Sequence, residues 1–247
     1  MSTTGLRFLF SFLGLLALPA FDRAQTSDVT ARVEIQSTGT NVKSPLKTEN
    51  PSDVVVWLKP LDAPVDPVPA SQRPRPQLIQ KNKTFDPHLL VVRVGSTVDF
   101  PNKDPFFHNV FSLFDGKRFD LGLYEAGTTH SVRFDRPGVS FLFCNIHPEM
   151  SAVVVAVDTP YYAVTTRTGA LMIPHVPDGR YELHVWYERS LPEDLRGLTR
   201  TVSIASESSN LGTIRVPLNP SFTLVHKNKY GQDYATPPDN STTYSHP

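Results

Sequence analysis

One short string concentrates the reactive side chains of this chain: Phe143-Cys144-Asn145-Ile146-His147-Pro148-Glu149-Met150. It holds a thiol, an imidazole and a thioether. Cys144 ends an apolar run and Met150 stands just before the next one, so the three side chains share a tight loop between two antiparallel strands. Upstream, His108 follows the turn Asp104-Pro105-Phe106-Phe107 and opens another strand. In a β-sandwich that turn can lie at the same end as the Cys144 loop. The set is then two imidazoles, one thiolate and one thioether.

Ligand softness selects the metal. Thiolate and thioether favour copper over hard cations, and a His2Cys plane with a weak axial Met suits a type 1 copper site. Zinc is the competing ion, but its sites are built from Cys, His and carboxylates rather than Met. A single His, Cys or Met is ordinarily a packing or surface residue; the spacing of all four together carries the inference. Four protein ligands leave no open position for substrate, unlike a catalytic metal centre. The chain has no His-x-His pair, which a multicopper oxidase requires, and only one Cys, whereas a binuclear thiolate-bridged copper site needs two. One copper ion, single-electron exchange and no enzymatic turnover are expected.

The lone cysteine carries information about compartment. Arg7, the apolar stretch 8–18 and the small residues Ala20 and Ala24 have the order of an export signal, residues 1–24, and the stretch falls short of the ~20 apolar residues of a membrane span. Exported chains usually pair their cysteines or lack them, and an exposed free thiol is open to oxidation. A metal-bound thiolate escapes that fate. A periplasmic or secreted protein is expected, with no membrane span after signal removal.

The elements that must hold these ligands are strands. The 23 Pro and 13 Gly, spread among short Val-rich runs, indicate an all-β chain with frequent turns and no major helix beyond the signal segment. Strand signals fall at 29–36, 53–59, densely through 77–158, and again over 162–216. The run Val54-Val55-Val56-Trp57-Leu58 reads as buried on both faces. Residues 61–76, with Pro64, Pro67, Pro69, Pro74 and Pro76, read as a stiff linker. Residues 218–247 are polar and rich in Pro, Asn and Tyr, and read as a disordered tail. Lys plus Arg and Asp plus Glu each number 24, so the chain lacks the basic excess of a nucleic-acid binder.

Residues 77–158 resemble the cupredoxin family of Greek-key copper sandwiches, the plastocyanin- and amicyanin-like proteins. The resemblance is carried by Phe85-x-Pro87, Val94-Gly95-x-Thr97-Val98-x-Phe100-x-Asn102-x-Asp104, His108-Asn109-Val110 and Cys144-x-x-His147-x-x-Met150-x-x-Val153. The short Cys-to-Met spacing is similar to amicyanin. The resemblance implies that His108, Cys144 and His147 are equatorial ligands and Met150 the axial one. It implies that Asn109 ties the two ligand loops together by hydrogen bonds, and that electrons pass at the edge of His147. Phe106, Phe107, Ile146 and Pro148 would form an apolar collar there for a transient redox partner, a cytochrome or a dehydrogenase.

The last third, Thr165-x-x-x-Gly169-x-Leu171-x-Ile173-x-x-Val176-Pro177-x-Gly179-x-Tyr181-x-Leu183, resembles the carboxypeptidase-regulatory or CNA-B-like sandwich, related in shape to transthyretin. Its missing first strands fit 29–36 and 53–59. One discontinuous sandwich, 27–60 plus 160–217, with the cupredoxin segment inserted in it, is therefore expected, and a scaffold or docking role follows for it. Two other functions use the same ligands: a copper carrier or store, and an assembly protein with a cupredoxin module.

Overall fold

The computed structural model describes residues 25–37, 50–62, 75–113, 116–219, 221–223 and 226–234. The export signal expected at 1–24, most of the proline-rich linker and the end of the expected tail lie outside the described residues.

The described chain is almost wholly β. Its strands are β1 (Thr26–Ser37), β2 (Val55–Pro60), β3 (Ile79–Lys81), β4 (Thr84–Asp86), β5 (Leu89–Arg93), β6 (Thr97–Pro101), β7 (His108–Ser112), β8 (Phe119–Tyr124), β9 (Thr129–Arg133), β10 (Gly138–Phe143), β11 (Ser151–Val157), β12 (Tyr162–Val164), β13 (Ala170–Pro177), β14 (Gly179–Trp186), β15 (Arg200–Ile204) and β16 (Asn210–Leu218). One short helix, α1 (Pro192–Arg196), joins β14 to β15; Pro192 suits a first turn, where its missing N–H would be unpaired anyway.

Strands β5 to β11 make one sandwich. Its five-stranded sheet runs β5-β11-β10-β7-β8, and the β6-β9 pair lies opposite. β10 and β11 form an antiparallel ladder from Gly138↔Ala156 to Phe143↔Ser151, so the loop 144–150 emerges between their ends. Phe143 also pairs with Phe111 of β7, which brings the strand that begins at His108 beside that loop. The core between the sheets holds Phe100, Val110, Phe134, Leu142, Ala152, Val154 and Ala156, and Cys144 and Met150 belong to the same apolar cluster.

The outer strands make a second sandwich. β1 lies between β13 and β16, pairing antiparallel with the first and parallel with the second. Facing it is the sheet β12-β2-β14-β15, in which Trp57 of β2 stands opposite Tyr162 on one side and His184 on the other. The N-terminal strands therefore complete sheets made by the C-terminal third.

The alternation of side chains along a strand explains why two runs are apolar throughout. In β11, Ala152, Val154 and Ala156 fill the first sandwich, while Val153, Val155 and Val157 point the other way onto Val55, Trp57 and Trp186. In β2 and the residue before it, Val54, Val56 and Leu58 enter the second core, while Val55 joins the contact layer. The two sandwiches are thus cemented sheet to sheet. Each fully buried valine of this layer contributes up to about 1.5–3 kcal/mol.

Residues 226–234 depart from the expectation of a disordered tail over 218–247. Residues 226–234 are hydrogen-bonded to the 144–150 loop and to β8. In those contacts the His226 and Tyr234 side chains meet backbone carbonyls, the Lys229 ammonium meets a carboxylate and the Lys229 amide meets the Asn145 side chain, and a polar composition looks the same whether it meets protein or water.

Candidate metal centre

His108 is placed by the turn that precedes β7. The Asn102 side chain is fully buried and staples that turn: its Nδ2 donates to the carbonyls of Phe106 (2.8 Å) and Tyr124 (3.3 Å), and its Oδ1 accepts the Asp104 amide (3.0 Å). Asp104 then faces three donors. Its carboxylate accepts the backbone amides of Asn82 (2.6 Å) and Lys83 (2.9 Å), and its Oδ2 lies 2.8 Å from His108 Nε2. Asn82 and Lys83 hold left-handed φ angles of 55° and 54°, which turn their amides toward it at the tip of the β3–β4 hairpin.

The carboxylate settles the imidazole. Bonding to Asp104 puts the proton on His108 Nε2 and leaves Nδ1 a bare lone pair, the arrangement by which carboxylates orient metal-binding histidines. Burial raises Asp104, but the Lys83 amide, His108 and the Asn82 amide outweigh it and hold the carboxyl below its usual range. Burial lowers His108 against the pull of Asp104, which favours the neutral, ligating ring.

Cys144, His147 and Met150 come from the loop between β10 and β11. The loop closes on itself through Cys144 N–H to the Met150 carbonyl (3.3 Å) and Met150 N–H to the His147 carbonyl (3.1 Å). Cys144 and Met150 are completely shielded from solvent and His147 is 7% exposed. Burial pushes the Cys144 thiol up, against the amides of Ile146, Asn109 and His147, which favour the thiolate. Burial, then the neighbouring His108, lowers His147.

The donor atoms converge. Cys144 Sγ lies 3.8 Å from His108 Nδ1 and 3.6 Å from His147 Nδ1, and the two Nδ1 atoms are 3.1 Å apart. These three side chains could hold one metal ion. Bonds of about 2.0 Å to nitrogen and about 2.3 Å to sulfur, opened to roughly trigonal angles, separate their donors by about 3.1–3.7 Å. The spacing therefore fits a single ion in a His2Cys plane, and the thiolate fits a soft one.

The structure brings together His108, Cys144 and His147 and places Met150 in the same buried cluster. Asn109 meets the Cys144 loop through its backbone rather than its side chain. Its side chain turns to β8, donating to Asp120 Oδ1 (2.7 Å) and the Gly122 carbonyl (2.9 Å), while its backbone amide acts on the Cys144 sulfur. The strand direction decides this: with His108 facing the core, the next side chain must face away. Of the expected collar, Phe106 packs on both imidazoles, with ring centroids 5.2 Å from His108 and 5.6 Å from His147. Phe107, Ile146 and Pro148 are exposed.

Sequence reasoning gave Asp104 no role at the site. Its only signal was a carboxylate four residues before a ligating histidine, on a turn. His226, Lys229 and Tyr234 gave none.

No protein-family profile matches the chain, and no curated protein matches it. Among solved structures, similarity is found to a purple cupredoxin from Nitrosopumilus maritimus, at 26% identity over 33% of this chain and 99% of that one, with a TM-score of 0.31. It is found to a copper-containing nitrite reductase from Thermus scotoductus, at 24% identity over 38% of this chain, with a TM-score of 0.33; this chain spans 25% of that protein. A Cu(I) form of an amicyanin variant matches at 19% identity over 41% of this chain and 98% of that one, with a TM-score of 0.32.

Proposed function

We propose that this chain carries single electrons through one type 1 copper ion held by His108, Cys144 and His147, with Met150 as the axial ligand, and that it does so in the periplasm or outside the cell after export. The observation that carries the reading is the convergence of two imidazole Nδ1 atoms and one thiol sulfur within 3.8 Å, out of water.

Copper in such a site supplies reversible one-electron exchange. The protein's part is to hold donors still. Asp104 fixes the ring and tautomer of His108. The two hydrogen bonds closing the 144–150 loop fix Cys144 and His147 relative to each other. Met150, buried in the same cluster, would add a thioether to the donor set, and four protein donors would leave no open position for substrate, which favours electron transfer over catalysis.

Phe107, Ile146 and Pro148 present exposed apolar surface next to His147, and Phe106 covers both rings. That surface suits brief docking of a redox protein, a cytochrome or a dehydrogenase, since such encounters use small interfaces. No helix among the described residues is long and apolar enough to cross a membrane. The single, buried Cys144 agrees with an oxidising compartment. The second sandwich, which resembles a carboxypeptidase-regulatory fold, supports the copper-binding one by covering its outer sheet.

The competing reading is a copper carrier. Repeated reduction and oxidation in the presence of a competing chelator separates the two. An electron carrier keeps its copper through the cycles; loss of the metal at each reduction would replace electron transfer with delivery.

A further inference from the structure

Residues 226–234 lie along the candidate metal loop and bond to Cys144, Asn145 and Pro148. The Tyr234 hydroxyl donates to the carbonyl of Cys144 (2.7 Å), and His226 Nε2 reaches the carbonyl of Pro148 (2.8 Å). The Lys229 amide donates to Asn145 Oδ1 (2.9 Å). The His226 ring stacks on Phe143, the last residue of β10, with centroids 3.9 Å apart and planes 22° from parallel.

A further set of contacts reaches the other ligand-bearing segment. Lys229 Nζ pairs with Asp120 Oδ2 (2.7 Å), and Asp120 Oδ1 accepts the side-chain amide of Asn109, the residue after His108. The segment is itself folded: Asn228 Oδ1 accepts the amides of Tyr230 (2.9 Å) and Gln232 (3.0 Å), and the Tyr234 hydroxyl lies 3.2 Å from His226 Nδ1.

We infer that residues 226–234 form a strap that positions the Cys144–His147 loop against β7, with Tyr234 and Lys229 as its anchoring residues, and that the strap sets how tightly the site keeps its metal. The inference rests on the copper reading above. Its physical basis is the reach of these bonds, which tie three loop residues to a segment outside the loop. Two backbone hydrogen bonds close the loop internally, and the strap adds anchors at Cys144, Asn145 and Pro148. Partners outside a metal's own ligands commonly alter affinity by about 10–100-fold, and here they come from a segment remote in sequence.

The test uses the full chain loaded with copper, beside Tyr234→Phe, Lys229→Ala, Lys229→Arg and the Tyr234→Phe/Lys229→Ala double variant. Release of Cu(I) to a chelator is followed together with the visible spectrum. Amide exchange of residues 144–150 is measured in the copper-free proteins. Tyr234→Phe removes one hydrogen bond and speeds release about fivefold; the double variant speeds it at least tenfold and shifts the visible band. Lys229→Arg keeps the wild-type rate. Loop amides lose protection in the double variant even without metal. A double variant with wild-type release, band and loop protection overturns the strap. So does one that lowers thermal stability while leaving all three unchanged, since the segment would then be a clasp for the fold alone. A wild type that takes up copper without an intense thiolate band overturns the type 1 reading, and this inference with it.

Discussion

Asp104 Oδ2 sits 2.8 Å from His108 Nε2, and neither side chain reaches solvent appreciably. A buried carboxylate behind an imidazole adds negative charge to the metal centre without touching the metal. Such a charge favours the higher oxidation state.

Replacing Asp104 with Asn keeps the size of the side chain and removes that charge. The reduction potential should rise by about 60 mV, the equivalent of a tenfold change in relative affinity for a one-electron couple. Stability should fall by about 1–3 kcal/mol, because the carboxylate also receives the Asn82 and Lys83 amides. Protein-film voltammetry and denaturant unfolding check the two effects separately.

Met150 separates packing from ligation. Met150→Leu conserves volume in a fully shielded position, so stability should change by less than about 1.5 kcal/mol. The potential should still rise, because loss of an axial thioether leaves the oxidised ion less well supported. Met150→Ala should cost about 2–5 kcal/mol through the cavity it leaves. Voltammetry of the Leu variant with an unchanged potential would show that Met150 only packs.

His88 links the two sandwiches. Its Nδ1 lies 3.1 Å from the Ser151 carbonyl at the start of β11, and its Nε2 lies 2.8 Å from Glu188 after β14. The Glu188 carboxylate raises His88 above its ordinary value of 6.5, against the effect of burial. A raised histidine stabilises the fold fully below pH 6.5 and loses that contribution as pH climbs through the higher, folded value. The pair is partly exposed, so the effect should be small, roughly 0.5 kcal/mol, or a melting shift of about 1–2 °C. Melting of Glu188→Gln, compared with wild type from mildly acidic to mildly alkaline pH, should show this increment missing on the acidic side only.

The outer face of the five-stranded sheet is the second buried surface of the sandwich that carries the candidate metal centre. Residues 77–158 produced alone would expose Val153, Val155, Val157, Leu89, Val91 and Phe141 together. A continuous apolar face of that kind promotes association. Size-exclusion chromatography should find the excised segment aggregated or self-associated where the whole chain is not.

The candidate ligand set was legible because its chemistry is local. Cys144, His147 and Met150 share one loop, and the apolar runs on either side of it announce the hairpin that closes it. The double-sided burial of Val54 to Leu58 was also legible, since an unbroken apolar strand has to be covered on both faces. What covers it was not: the layer of Val55 against Val153 and Val155 joins positions far apart in the chain. Asp104 was visible as a turn residue, but its bond to His108 depends on how the β3–β4 hairpin folds over that turn. Tyr234 and Lys229 sit in a composition typical of solvated tails, and only the position of the Cys144 carbonyl and of Asp120 gives them partners.

Everything proposed for the site depends on Cys144 being a copper thiolate ligand in a type 1 centre. The most direct measurement is the visible and EPR spectrum of the protein after addition of Cu(II), beside Cys144→Ser. The wild-type protein should take up one equivalent of copper with an intense thiolate-to-copper band and a small hyperfine splitting, and the band and the small splitting should be lost in the Ser variant. A pale, ordinary Cu(II) spectrum, the same in both proteins, would contradict it.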